Sequence, residues 1–465
     1  MTNAAISKYL WSYLAGFSIL LMMGCSKGGP SPKAPDGDAK VLSFRLGVEK
    51  NDIPVSSEGT IDGERITLFL PTGTDVSALV PDFTLSDNAK AVVGGEEVIS
   101  GKTAIDFRHT VQFLVSSGGG PSKSYEINLK TDDASIDSEV SRIMNKYNIP
   151  GLQLAITYKD RLVYLKSYGV GNKETGEPVT NESLFRIASV SKVITLVAIL
   201  KLIDEKRLRF DDKVFGQNGV LGFDFGTKPY SQYEEAITVK HLIEHKSGWT
   251  NYPFDPMFGY PGYSNEDLLT EMLDNRPPVN LPGSVENYLN FGYFVLARII
   301  EKVTGLPYET YVRQTLFEPF GIMGMKVGRN SIDQRYENEV TYYDQENYSP
   351  YLIDVTRMDA GGGWVASAAD LARLLVRINR NSLKPDILPG NALNYLYLAF
   401  HTWVSNGSMS GTAASLVRIN DDLGGAIVVN TRPIPDGDML NDINNLLTNR
   451  VSLISRWPAY DLLGD

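Results

Sequence analysis

Ser189 and Lys192, within Phe185-Arg186-Ile187-Ala188-Ser189-Val190-Ser191-Lys192, form the one S-x-x-K of the chain. A spacing of three puts both side chains on one helix face, close enough for the amine to meet the serine oxygen. A serine hydroxyl is a poor nucleophile until a neighbour accepts its proton, and a lysine accepts one only when its amine is neutral. Burial and the positive end of a helix dipole both disfavour the ammonium. The apolar run that follows, through Leu202, supplies a buried helix at that position. The same pattern also fits a helix start with serine caps and a lysine that snorkels to water, and the motif by itself does not separate the two. A second pattern is His241-Leu242-Ile243-Glu244-His245, an H-x-x-E-H with both histidines on one helix face. Zinc there needs a third protein ligand, and Gly248 ends the helix almost at once.

The elements that must position these residues divide the chain. Residues 1–25 carry Lys8 and then an apolar run from Tyr9 through Met23, too short and isolated for a membrane span, which ends Leu21-Met22-Met23-Gly24-Cys25. This resembles a bacterial lipoprotein signal, and the resemblance implies cleavage after residue 24, acylation of Cys25 and a place in the cell envelope. Residues 25–40 hold no large apolar side chain and read as a flexible linker. Over 41–132, strand-like runs such as Val111-Gln112-Phe113-Leu114-Val115 alternate with turn clusters, which predicts a small β-sandwich. Pro71-Thr72-Gly73-Thr74-Asp75-Val76 and Asp106-Phe107 make it similar to immunoglobulin-like modules of Bacteroidetes-type surface proteins, expected here as a spacer, with a glycan-binding module as the alternative.

From residue 135 to 465 the texture changes. A helix over Ile136 to Tyr147 leads to a hairpin through Leu152, Leu154, Ile156 and Val163-Tyr164-Leu165, and a helical middle follows. A second hairpin spans Ser415–Ile419 and Ala426–Val429, and a helix from Asp436 to Arg450 closes the chain. Strands at both ends with helices between predict an α+β domain whose antiparallel sheet is assembled from its two termini.

This domain resembles the serine β-lactamase-related family of class C-like β-lactamases, penicillin-binding D,D-peptidases and esterases. The likeness rests on Ile149-Pro150-Gly151, Tyr168-Gly169-Val170-Gly171, Glu174-Thr175-Gly176, the run from Leu184 to Lys192, and Leu208 through Val214. It continues in His241 through Gly248 and in Gly362 through Leu371, so the histidine pair falls inside a family segment and no metal is expected. The resemblance implies Ser189 as the acylated nucleophile and Lys192 as its proton partner. It further implies a Y-x-N pair, of which the chain has three: Tyr263/Asn265, Tyr288/Asn290 and Tyr336/Asn338. Only Tyr288/Asn290 follows Pro282-Gly283 and precedes Gly292-Tyr293 and the helix Val295 to Val303, as the family's motif does. Tyr288 is then the base or acid that shuttles a proton, as a base only if Lys192 lowers its pKa, and Asn290 orients substrate. Tyr263-Ser264-Asn265 reads as a helix cap, and Lys246-Ser247-Gly248 lies on the wrong side of Tyr288 for the third motif.

That third motif, K-T-G or H-x-G in the family, is best matched by Ser405-Asn406-Gly407-Ser408. Gly407 is kept, so substrate can lie along the strand at Ser405 and Gly407, and the N–H groups of Ser189 and Ser408 form an oxyanion hole. The cation has become Ser405, and His401 is four residues early. Its loss weakens the grip on a substrate carboxylate and shifts the expectation from efficient β-lactamase toward an esterase, amidase or peptidase. Composition agrees with this class: the 465 residues carry a net charge of −11, against a polynucleotide partner, and a single cysteine, against disulfides or a thiolate metal site. The expected protein is a lipid-anchored serine hydrolase with a small-molecule, peptide or ester substrate and no cofactor. The rival expectation is a surface binding protein that keeps the fold without turnover.

Overall fold

The computed structural model describes residues 39–463 except positions 54–55, 71–73, 119–120, 131–133, 346–347, 382, 397–402, 455–456 and 459. Cys25 with the signal segment, the linker to residue 38, the turn at 71–73 and His401 lie outside the described residues.

Residues 39–130 build two sheets. The smaller orders Ser57–Glu58, Val41–Leu46 and Pro81–Leu85. The larger orders Thr60–Asp62, Arg65–Phe69, Lys123–Lys130, Val111–Ser117, Ala89–Val93 and Glu96–Val98. Period-two alternation decides which face is inside: Val111, Phe113 and Val115 are buried while Gln112 and Leu114 are exposed. Phe113 meets Phe44 edge-to-face at 5.6 Å and Phe83 at 5.0 Å, so rings from both sheets close one core. Part of the expected linker belongs to this fold. Ala39 is buried, and Lys40 donates its N–H to Ser86 Oγ at 3.0 Å, because pairing with the strand Pro81–Leu85 begins there.

The remaining domain is organised by a six-stranded antiparallel sheet in the order Glu177–Pro178, Arg161–Asn172, Gly151–Tyr158, Leu423–Val429, Thr412–Arg418, Trp403–Met409. The N-terminal hairpin joins the C-terminal one through Leu152↔Val429 to Tyr158↔Leu423. Leu152, Leu154 and Ile156 face the helices Ala134–Tyr147 and Gly437–Asn445, against Val140, Ile143, Met439 and Ile443. The expected closing helix is α-helical over Gly437–Asn445 and continues as a π turn over Leu446–Arg450. Ala155, Leu416 and Val428 face the other way, into the core of the helical region. Gln153 is fully buried on that second face. Its amide donates to Thr180 O and accepts the Ala368 N–H at 2.9 Å, which ties the sheet to the segments around it.

At the centre of the helical region lies the helix Ser191–Asp204, whose side chains are buried nearly all round. A helix apolar on every face is a core element, not a surface one. Replacing the fully buried Leu154 by Ala is expected to cost ~2–5 kcal/mol, read as a lower urea midpoint at unchanged m-value.

Candidate active site

Ser189 sits in a single 3-10 turn, Ala188–Val190, directly before the buried helix. Ala188 has a φ of 44°, a left-handed conformation that costs an alanine about 1 kcal/mol and that the surrounding packing must hold. That packing is specific. Arg186, one turn back, is fully buried, with Nη1 donating to Pro350 O at 2.8 Å and Nη2 to Arg329 O at 2.9 Å. Its guanidinium lies 4.5 Å from the ring centroid of Tyr342 and 5.2 Å from that of Tyr351.

Lys192, one helical turn on, brings Nζ to 3.1 Å from Ser189 Oγ, 2.7 Å from Asn290 Oδ1 and 2.5 Å from Gly361 O. Burial drives its pKa down to about 7, with the nearby Asp255 charge pulling the other way. In the neutral amine the two carbonyl oxygens take the two N–H bonds, and the lone pair is left for the Ser189 proton. The carbonyl of Gly361 is delivered by the short helix Asp359–Gly362. That helix is fixed below by Arg298, whose Nη2 donates to Asp359 Oδ2 at 2.5 Å, and by Thr195 Oγ1, which donates to Ala360 O at 2.8 Å.

Tyr288 donates its hydroxyl to Ser189 Oγ at 2.6 Å. The residue is 49% exposed, while its oxygen points inward to the serine. Burial of that oxygen raises the phenol pKa, and the Ser189 hydrogen bond offsets it only in part. This reverses the expected electrostatics: Lys192 does not bring Tyr288 into the range of a base. The lysine is itself the depressed group, so the geometry offers one base, Lys192, and one proton donor, Tyr288, on the same oxygen. Asn290 opens the helix Asn290–Thr304, with Oδ1 toward Lys192 and Nδ2 donating to Asp255 Oδ2 at 2.8 Å.

The loop before Asn290 is pinned by the histidine segment. His245 O accepts the Asn287 N–H at 2.7 Å, its Nδ1 accepts the Leu289 N–H at 3.2 Å, and its ring lies 4.6 Å from that of Tyr288. Burial, and then the Lys192 charge, lower the His245 pKa to about 4, so the imidazole is neutral and free to accept. His241 Nδ1 accepts the Thr238 N–H at 3.3 Å in a capping box. Both histidines are thus engaged in holding backbone, and among the described residues no three His, Cys, Asp or Glu side chains gather as a metal site. The other Y-x-N pairs are structural. Ser264 caps the helix Asn265–Asp274, while Tyr336 donates to Val327 O at 2.9 Å and Asn338 to Glu182 O at 2.6 Å.

Gly407 lies on the edge strand Trp403–Met409 against the nucleophile turn. A Cβ there would fall 2.1 Å from Ile187 O and 2.9 Å from Ser189 N, so only glycine lets strand and turn approach. The register Met409↔Thr412 closes a two-residue turn. Alternation from that pair leaves the Ser408 N–H pointing away from the sheet. The Ser408 side chain turns to the opposite face and bonds Asp436 Oδ2. Ser405 shares the face of Gly407, half-buried, and makes no side-chain hydrogen bond to a described residue.

Asp255 was not singled out by the sequence. Its one local signal, an Asp before Pro256, is that of a helix cap, and it does cap Pro256–Gly259 by accepting the Met257 N–H at 2.9 Å.

The Beta-lactamase family model matches residues 136–447, and the SGBP, N-terminal model matches residues 42–129. The chain belongs to the Beta-lactamase family, and its sandwich is a Bacteroidetes-type module, as the residue patterns implied. Penicillin-binding protein 4 of Amycolatopsis lactamdurans is 29% identical over 195 residues, which cover 41% of this chain and 48% of that protein. Penicillin-binding protein 4* of Bacillus subtilis is 31% identical over 220 residues, 45% of each chain. The chain thus spans about half the length of these curated relatives. The octameric penicillin-binding protein homologue from Pyrococcus abyssi shares the fold, with a TM-score of 0.55 at 24% identity over 67% of this chain and 76% of that one.

Two outcomes are expected. Gly407→Ala should lower the rate of Ser189 acylation by about tenfold or more, since the strand must retreat from the turn. Acylation of the unaltered protein should rise with pH through about 7, where Lys192 loses its proton, and fall below it. Stopped-flow or gel-based rates with a fluorophosphonate measure both.

Proposed function

We propose that the chain is a serine acyl hydrolase that works through an acyl-enzyme on Ser189. The carrying observation is the convergence of Lys192 Nζ and Tyr288 Oη on Ser189 Oγ at 3.1 and 2.6 Å, with Asn290 behind the lysine. Neutral Lys192 takes the Oγ proton as Oγ bonds to the substrate carbonyl carbon. The resulting oxyanion is held by the N–H groups of Ser189 and Ser408. Collapse breaks the bond to the leaving amine or alkoxide, which takes the Tyr288 proton, and the Lys192 ammonium then returns a proton directly to that phenolate, since the acylated Oγ has none to relay. Water then adds to the acyl-enzyme by the reverse transfers and frees the acid. No organic cofactor enters these steps.

The substrate class is a small amide, peptide or ester. Ser405 offers a hydroxyl where a cation would grip a carboxylate, which favours acyl compounds that carry no anion on that strand. The same residue motivates the second reading, a surface protein that binds such ligands without turning them over. The protein is held in the cell envelope by an acylated Cys25, with the sandwich as spacer between lipid and hydrolase domain. Cys25→Ala is therefore expected to move the protein from the membrane to the soluble fraction on cell fractionation.

Covalent labelling by a fluorophosphonate or a labelled β-lactam tests the chemistry. Label is expected on the unaltered protein and not on Ser189→Ala. Folded protein that takes no serine-dependent label contradicts the enzyme and leaves the binding protein. Hydrolysis of p-nitrophenyl esters or D-amino-acid peptides in preference to a chromogenic cephalosporin supports the substrate class.

A further inference from the structure

Behind the reacting oxygen runs a line of hydrogen bonds that ends on a carboxylate. Lys192 Nζ bonds Asn290 Oδ1, Asn290 Nδ2 donates to Asp255 Oδ2, and Asp255 Oδ1 accepts the Met257 N–H. An amide is asymmetric, and only an acceptor at position 255 keeps its NH2 turned away from the lysine and its carbonyl turned toward it. We propose that Asp255 is the positioning residue that sets the protonation of Lys192, by locking the Asn290 amide in this sense and placing a negative charge one side chain behind the amine. The proposal rests on Lys192 acting as the base for Ser189.

The loop that carries Asp255 is built to hold it still. Arg276 Nη2 donates to Tyr252 O at 2.7 Å and Phe254 O at 3.0 Å. The buried Arg357 donates to Met257 O, Tyr260 O and Tyr263 O at 3.1, 2.7 and 2.9 Å. Two arginines thus fasten backbone on both sides of one carboxylate, and neither forms an ion pair with it.

The other groups facing the lysine do not supply such a charge. Tyr288 and Tyr293 present rings at 4.9 and 5.5 Å from Nζ, and both phenols are raised by burial. His245 is neutral, and Asp359, beneath the Gly361 carbonyl, is paired with Arg298. On the far side of Asp255 the nearby charge is Arg276, which lowers its pKa, as Lys192 does, against the rise caused by burial. Asp255 is therefore the nearby anion that favours the Lys192 ammonium, and it holds the amine titrating near neutrality instead of lower.

The sign follows. Without the charge, the ammonium is disfavoured further, and the acid limb of acylation moves to lower pH. In Asp255→Asn the new NH2 faces that of Asn290, whose amide turns over and points NH2 at the lysine; the shift has the same sign and the base is diverted from Ser189. Asp255→Ser keeps an oxygen to cap the Met257 N–H and removes the charge together with the oxygen that accepts from Asn290, without setting a donor against that amide.

The experiment measures the rate of Ser189 labelling by a fluorophosphonate against pH for the full chain and both variants, with thermal melts alongside. The acid-limb midpoint is expected to fall by about half a pH unit or more in both variants. The plateau rate is expected to fall by about tenfold in Asp255→Asn and by less in Asp255→Ser. A midpoint that stays or rises while the plateau drops overturns the proposal and leaves Asp255 a cap. Unfolding of both variants also counts against it, since Asp255→Ser retains the cap; if only Asp255→Asn unfolds, Asp255→Ser decides. Absence of labelling in the unaltered protein is a different result, the failure of the Ser189–Lys192 reading itself.

Discussion

The site depends on one burial: the amine of Lys192 is taken out of water without a carboxylate in direct contact. An ammonium so placed is expensive, and the protein answers by letting the proton go, at a pKa of about 7. Two carbonyl oxygens, from Asn290 and Gly361, hold the amine in place without neutralising a charge. That is why the helix Ser191–Asp204 that carries the lysine is buried nearly all round, and why the lysine is ringed by tyrosines and a neutral histidine. A direct ion pair would restore the ammonium and leave Ser189 without a base.

The rest of the domain holds surfaces against this amine. The sheet built from both termini presents its edge strand to the nucleophile turn, and Gly407 is the point of contact. Arg186 clamps the turn from below through the carbonyls of Pro350 and Arg329, so the strained Ala188 is held from several directions. His245 fixes the Tyr288 loop through two backbone bonds. Segments far apart in the chain thus meet at one oxygen.

What was legible in the sequence follows the range of each signal. Ser189 and Lys192 lie one helical turn apart, so local periodicity alone juxtaposes them. Tyr288 and Asn290 are distant, and they were separable from the decoys because Gly292-Tyr293 and the long apolar helix that follows marked their loop. The sheet was legible because period-two runs stand at both ends of the domain. Asp255 and the Gly361 carbonyl were not legible: one carries only a cap signature and the other no side chain, and each reaches the site through tertiary packing. The direction of the Tyr288 shift also lay beyond the sequence, since it depends on how deeply one oxygen is buried. The burial of Ala39 in the sandwich was hidden because an alanine in a polar stretch carries no pattern.

The central claim is that Lys192 is a neutral base near neutral pH. It is tested most directly by NMR titration of the protein with its lysine side chains carbon-13 labelled at Cε, the Lys192 signal being assigned by its loss in Lys192→Arg. The account predicts one lysine resonance that titrates near pH 7, far below the other lysines. A Lys192 resonance that stays in the ammonium position up to the ordinary lysine range, about 10.4, contradicts it.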